Sequence, residues 1–248
     1  MERWVNKTAV VTGASVGIGA AVCVSMANAG LRVVGLAKRS ELIDKLKAQV
    51  TGSGSITSRK CDVSKVDEIK DTFKWVEENF EGIDVLINNA GVLYFHKFIS
   101  DSGDNQISDD EISAAIDINL KAVVLCAKYA IASMKKRGFD GHIINVNSIA
   151  GHYIPVRSGF NVYPCTKYAV GAFTETLLAE LASFNNKIKV TSLSPGLVKT
   201  DMALQHGKID APALLPADIA DTIVYILSTP PNVNIRELTI GSVAEKKV

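Results

Sequence analysis

Residues 9–30 restrict the fold more than any other stretch of the chain. Ala9-Val10-Val11-Thr12 is a short apolar run rich in β-branched residues, the pattern of a strand buried on both faces. Gly13-Ala14-Ser15-Val16-Gly17-Ile18-Gly19 follows, and Ala20, Val22, Met26 and Ala27 then recur at helical spacing, with Gly30 placed to close the helix as its C′ residue. Strand, glycine turn and helix make a βα unit suited to phosphate. The glycines let backbone approach a pyrophosphate, and the helix N-terminus offers N–H donors and the positive end of its dipole. Gly13, Ser15, Gly17, Ile18 and Gly19 are therefore candidate nucleotide contacts, on a G-x-x-x-G-x-G spacing rather than the commoner G-x-G-x-x-G.

The same alternation runs to the end of the chain. Runs at 31–36, 56–61, 83–87, 141–147, 189–193 and 235–240 read as strands. Helical patterns fill 40–50, 66–80, 163–184 and 216–227, and Ser108-Asp109-Asp110-Glu111 forms a capping box that opens a long helix to about Arg137. Strands alternating with helices imply right-handed crossovers and a Rossmann-type, doubly wound α/β fold. The expectation is a parallel seven-stranded sheet with helices on both faces, one domain spanning 1–248.

Composition narrows the partners. Lys and Arg number 27 against 26 Asp and Glu, which gives no reason to expect nucleic acid or an anionic membrane. No apolar run approaches the roughly 20 residues of a membrane span, and Met1 to Lys7 is polar and leads into a strand, so no signal peptide is expected. Cys23, Cys61, Cys126 and Cys165 form no C-x-x-C pair, which favours reduced thiols in a cytoplasmic protein over a disulfide framework or a metal site.

Strand ends carry the remaining signals, because ligands bind open α/β sheets beyond the strands' C-terminal ends. After the second strand stand Ala37-Lys38-Arg39 where an NAD enzyme would carry an acidic residue, so NADP(H) is the expected cofactor, with Arg39 the better contact for its 2′-phosphate. Asp62-Val63, after the third strand, can meet an adenine amino group, or Asp62 or Ser64 can cap the next helix. Asn89, Ala90 and Gly91, after the fourth, suit close packing on a ribose and equally suit a plain turn. Tyr94 and Phe95 in 93–107, Tyr153 and Phe160 in 152–162, and Met202 in 202–215 are candidates for the wall of an apolar pocket or for core packing. His96 reads as a pocket or surface residue.

Tyr163-Pro164-Cys165-Thr166-Lys167 places a phenol and an ammonium four residues apart on one helix face, with Pro164 in the first turn. A free tyrosine has a pKa of about 10, and lowering it by roughly 3 units corresponds to about 4 kcal/mol. Lys167 together with an oxidised nicotinamide is expected to supply that shift, giving an acid–base group poised near neutrality. Asn119 falls inside a helical pattern, where an amide is unfavourable unless partnered.

Thr12-Gly13-x-x-x-Gly17-x-Gly19, Asn88-Asn89-Ala90-Gly91, Asn119, Ser148, Tyr163-x-x-x-Lys167 and Pro195-Gly196, in this order, resemble the short-chain dehydrogenase/reductase family over nearly the whole chain. Met1-Glu2-Arg3-Trp4, Val34 to Arg39 and Asn147 to His152 resemble its insect farnesol dehydrogenase-like branch. Two features depart from the commonest pattern: Ser148 and Tyr163 are 15 residues apart, and Asn147 replaces the first of the usual serines. The resemblance implies that Tyr163 exchanges a proton with the substrate oxygen and Ser148 bonds the same oxygen. It implies too that Lys167 lowers the phenol's pKa and holds the nicotinamide ribose, while Asn119 holds a proton-relaying water. Pro195, Gly196 and Val198 would contact the nicotinamide end of NADP(H), and Thr200 its carboxamide or its pyrophosphate. The implied substrate is a small lipophilic alcohol or ketone such as a farnesol-like isoprenoid, a terpene alcohol or a steroid, and the implied assembly a homodimer or homotetramer.

Overall fold

A computed structural model describes residues 1–99, 105–154, 159–204 and 211–245. The seven strands are β1 (Thr8–Thr12), β2 (Arg32–Ala37), β3 (Ser55–Lys60), β4 (Val85–Asn88), β5 (His142–Val146), β6 (Lys189–Pro195) and β7 (Glu237–Ile240). They form one sheet in the order β3-β2-β1-β4-β5-β6-β7, parallel throughout. The order reverses between β1 and β4, where Val10 lies opposite Leu86, and that switch point opens the crevice that ligands occupy in doubly wound sheets.

One face of the sheet is covered by α1 (Gly17–Asn28), α2 (Ser40–Asp44) and α8 (Pro216–Ser228), packed around Met26, Ile43 and Ile223. The other is covered by α3 (Val66–Phe80), α5 (Ala122–Arg137) and α6 (Tyr163–Ser183), packed around Phe73, Met134 and Leu177. Central strands buried on both faces explain their unbroken apolar composition.

Local chemistry fixes the boundaries. Gly30, at φ +95°, ends α1 in a Schellman motif, with its N–H bonded to Ala27 O (3.0 Å) and the Leu31 N–H to Met26 O (3.1 Å). The capping box opens α4 (Asp109–Ile116): Glu111 N–H donates to Ser108 Oγ at 3.2 Å, and Ser108 N–H to Glu111 Oε2 at 3.0 Å.

Four features differ from the sequence expectation. The helix expected over 40–50 is α2 followed by a 3-10 turn at Lys45–Gln49. The long helix from 108 to 137 is broken by a π turn, Asp117–Lys121, centred on Asn119. The polar N-terminus contains a 3-10 turn, Glu2–Trp4, because Trp4 is fully buried and its Nε1 donates to Leu227 O at 2.7 Å. A short helix, α7 (Asp201–Leu204), follows β6.

Candidate active site

A cavity of about 530 Å³ opens along the C-terminal ends of β1, β4, β5 and β6. The glycine turn after β1 forms one wall. Gly13 has φ +67°, and a Cβ there would lie 2.8 Å from Ala90 Cα; one on Gly19 would lie 2.3 Å from Gly13 O. Only glycine permits this folding of the turn against β4. Asn89 locks it, with Nδ2 donating to Thr12 O (2.9 Å) and Gly13 O (3.2 Å), while Thr12 Oγ1 accepts from the N–H groups of Asn89 and Ala90, each at 3.0 Å. The Asn89 amide thus serves the turn, and the cavity receives Asn89, Ala90 and Gly91 beside Gly13, Ser15, Gly17 and Ile18.

At the start of α1, Val16 supplies no side-chain cap, so the first N–H groups keep their capacity for an outside acceptor. Ala14 N–H ties the turn to Leu36 O at 3.0 Å, bringing it beside the end of β2, where Lys38 and Arg39 are exposed. Cys61 N–H bonds Ala37 O at 3.0 Å and sets Asp62 and Val63 alongside. Asp62 Oδ1 accepts from Ser64 N–H (3.0 Å) and Ser64 Oγ (2.8 Å). Burial pushes this carboxyl upward, but the two Ser64 bonds with Lys38 and Lys65 nearby outweigh it, so it ends below its ordinary range. Neither Asp62 nor Ser64 caps α3, whose N-cap position is Lys65; the capping alternative is corrected by this local turn. A glycine turn, uncapped helix donors and an exposed basic pair form a groove that fits a dinucleotide with a 2′-phosphate.

At the other wall, Tyr163 and Lys167 lie on the first turns of α6. The Ser148 hydroxyl lies close enough to the Tyr163 phenol to act on its pKa. Ser148 is the N-cap of a 3-10 turn, Ile149–Gly151, and its Oγ also accepts from Ala150 N–H at 3.1 Å. That turn packs tightly on α6, since a Cβ on Gly151 would lie 3.0 Å from Lys167 O. Lys167 is buried, with Nζ donating to Val146 O at 3.0 Å and standing 5.6 Å from the centroid of the Tyr163 ring.

The expected lowering of the Tyr163 pKa is not what the protein alone produces. Desolvation raises it, and the Ser148 hydroxyl only partly opposes that. The same burial pulls Lys167 down to about 8. The ammonium faces Val146 O and the ring face rather than the phenol oxygen, so desolvation prevails over its charge.

Asn119 is fully buried in the π turn. Its Oδ1 accepts from Val92 N–H (2.8 Å), and Nδ2 donates to Val92 O (2.9 Å) and Thr166 Oγ1 (3.3 Å). Thr166 Oγ1 in turn donates to Tyr163 O at 2.7 Å. The amide therefore ties the post-β4 backbone to the first turn of α6, without bonding Lys167 directly.

Of the expected pocket residues, Tyr153, Phe160 and Met202 line the cavity, as do Pro195, Gly196, Val198 and Thr200, the last packed against Gly17 of the glycine turn. Tyr94 and Phe95 are corrected: neither lines it. Asn161 Nδ2 grips the carbonyls of Tyr94 and His96 and fixes the course of this loop. The Tyr94 phenol is pushed up by burial and then by the charge of Glu111 on α4. Phe95 packs edge-on against Phe160, 5.4 Å between centroids, and Phe160 lies between it and Tyr163. His96 pairs with Glu111 at 3.0 Å. Pro155 and residues 205–210 of the expected wall lie outside the described residues. Leu93, from the expected 93–107 segment, does line it, and Ile149, Leu197 and Glu245 line the cavity without having been expected to. Ile149 and Leu197 are apolar residues next to expected ones, whereas Glu245 carries no sequence signal.

The comparisons agree with this architecture. Residues 7–209 match the family described as short chain dehydrogenase. The chain is 45% identical over 249 residues to the farnesol dehydrogenase of Aedes aegypti, covering 99% of this chain and 100% of that one. It is 38% identical over 252 residues to dehydrogenase/reductase SDR family member 11 of Gallus gallus, covering 96% of each. An alcohol dehydrogenase from the archaeon Thermococcus sibiricus, solved in complex with 5-hydroxy-NADP, superposes with a TM-score of 0.84 at 27% identity, over 97% of this chain and 98% of that one. With its glycine turn, its parallel sheet and these relatives, the chain belongs to the short-chain dehydrogenase/reductase family.

Proposed function

We propose that the protein is an NADP(H)-dependent oxidoreductase that interconverts a lipophilic alcohol and its ketone or aldehyde. The observation that carries this reading is the meeting of Ser148, Tyr163 and Lys167 on the wall of the cavity whose opposite wall is the glycine turn. NADP(H), when bound, supplies or accepts the hydride and in its oxidised form adds a positive charge near the phenol. Gly13, Ser15, Gly17, Ile18 and Gly19 would hold the pyrophosphate, and Lys38 and Arg39 the 2′-phosphate. Asp62 and Val63 would meet the adenine, and Asn89, Ala90 and Gly91 the ribose. Pro195, Gly196, Val198 and Thr200 would meet the nicotinamide end. The NADP derivative carried by the archaeal relative supports the same cofactor here.

In reduction, Tyr163 donates its proton to the carbonyl oxygen while Ser148 hydrogen-bonds that oxygen and stabilises its developing charge. A raised phenol pKa keeps Tyr163 protonated and ready to donate. Lys167, with a pKa near 8, would resupply the lost proton through a bridging water, since its ammonium does not bond the phenol directly. Asn119 positions the first turn of α6 through Thr166, and a water held beside it would extend the path from Lys167 to solvent. In oxidation the roles of Tyr163 reverse.

Leu93, Ile149, Tyr153, Phe160 and Met202 make the substrate side apolar. With the farnesol dehydrogenase relative, this supports a farnesol-like isoprenoid as substrate, ahead of a terpene alcohol or a steroid. No helix among the described residues is long and apolar enough to cross a membrane; a cytoplasmic location is part of this proposal. Exposed Ile116 and Tyr168 on the long helices support assembly as a homodimer or homotetramer. The test is oxidation of NADPH by the purified protein with a panel of lipophilic aldehydes and ketones, and the reverse reaction with the alcohols. Turnover in either direction is expected, and a protein that binds NADPH yet turns over nothing would instead be a non-catalytic NADP-binding protein.

A further inference from the structure

We propose that Glu245 is a charge filter: it makes the cavity accept neutral alcohols and carbonyl compounds and reject those that carry a carboxylate. The proposal rests on the function given above and concerns a residue outside every motif of the chain.

The side chain is built into its place. Glu245 Oε1 accepts from Leu197 N–H at 2.8 Å, and Oε2 accepts from Ser242 N–H at 3.3 Å. A Cβ on Gly196 would lie 2.1 Å from Oε2, and one on Gly241 would lie 2.9 Å from it, so two glycines make the room that the carboxylate fills. The last described turn of the chain thereby folds back on the loop after β6 and brings an acid to the cavity wall. Its charge is felt by another lining residue, Tyr153, whose phenol it helps to raise after burial has done so.

The charges facing the cavity are unequal. Among its described lining residues the acids are Asp201 and Glu245, and the cation is Lys167, whose ammonium is already bonded to Val146 O. The remaining wall is largely apolar and screens little. An acid bonded to two backbone donors is held beside the cavity, so an incoming carboxylate meets its repulsion. Rejection by a fixed like charge is an economical source of specificity. For an alcohol–aldehyde enzyme it has a chemical use: the carboxylic acid formed by further oxidation of the aldehyde would not compete for the site.

The test reads binding, so it is independent of turnover. NADP⁺-saturated wild type, Glu245→Gln and Glu245→Ala are titrated with acetylbenzoate and with its methyl ester, followed by calorimetry. Glutamine keeps an acceptor for Leu197 N–H, and alanine removes both charge and clamp. Wild type is expected to bind the ester about tenfold or more tightly than the acid, the scale of one unit charge at close range in a medium of intermediate dielectric. Glu245→Gln should bring that ratio close to one by tightening the acid, and Glu245→Ala should move it the same way. An unchanged ratio in Glu245→Gln, equal binding of both compounds by wild type, or no binding of either would overturn the proposal. Reduction of the ester by wild type with NADPH is scored separately; its failure counts against the proposed reaction and leaves the binding ratio readable.

Discussion

The Ser148 hydroxyl and the Tyr163 phenol are brought together by two elements, the N-cap of the turn after β5 and the first residue of α6, closely enough that Ser148 opposes the rise of the phenol's pKa. Ser148 also caps its 3-10 turn, which holds its hydroxyl in place, and the proposed reaction uses both hydroxyls on one substrate oxygen. Ser148→Ala removes one donor. Its kcat/KM for a lipophilic carbonyl should fall by about 10²- to 10³-fold, as for other removed oxyanion donors, with NADPH affinity little changed, measured by steady-state kinetics and cofactor fluorescence.

Arg39 stands at the end of β2, exposed and without the acidic neighbour that a 2′-hydroxyl would need. Arg39→Ala should weaken NADPH binding by about tenfold or more, the value of a charge-assisted phosphate contact, and leave NADH binding nearly unaltered. Titration of both cofactors into both proteins checks this. The wild-type preference should also shrink as salt rises, because the groove is open to solvent.

Asp84 is a structural charge. It is buried, its Oδ2 accepts from Thr8 N–H at 2.8 Å, and its Oδ1 pairs with Arg137 Nη1 at 2.7 Å. Asp84→Ala would strand both partners and should cost about 3–5 kcal/mol of stability. Denaturant unfolding at fixed protein concentration measures the loss.

His142 is buried on β5, with Nε2 bonded to Thr191 Oγ1 at 2.9 Å and Nδ1 unpartnered. Burial, with the charges of Lys189 and Arg3, depresses its pKa from 6.5 to about 3. Between those pH values the unfolded chain binds a proton that the folded one refuses, so stability must rise with pH across that window and fall on acidification. In His142→Leu the slope of unfolding free energy against pH from about 6.5 down to 3 should be shallower by nearly one proton.

Much of this was legible in the sequence because its determinants are local. Gly30, the Ser108–Glu111 box and the run from Ala9 to Gly19 each specify a boundary through neighbours a few residues away. The π turn at Asn119 was not legible, since its cause lies in the side chain's bonds to Val92 and Thr166, 27 and 47 residues distant. Tyr94 and Phe95 read as pocket residues from their type and loop, yet Asn161 sets the direction of that loop from 67 residues away. The direction in which the protein alone shifts the Tyr163 phenol was not legible, for a related reason. The spacing to Lys167 reports proximity, whereas burial decides the sign.

Tyr163→Phe keeps the ring that packs against Phe160 and deletes only the proton donor. Single-turnover mixing of the NADPH-loaded protein with a lipophilic carbonyl compound, followed by loss of NADPH fluorescence, measures hydride transfer directly. NADPH should bind to the variant as it does to wild type while the transfer rate falls by about 10³-fold or more. A rate within a few-fold of wild type would contradict a proton supplied by Tyr163.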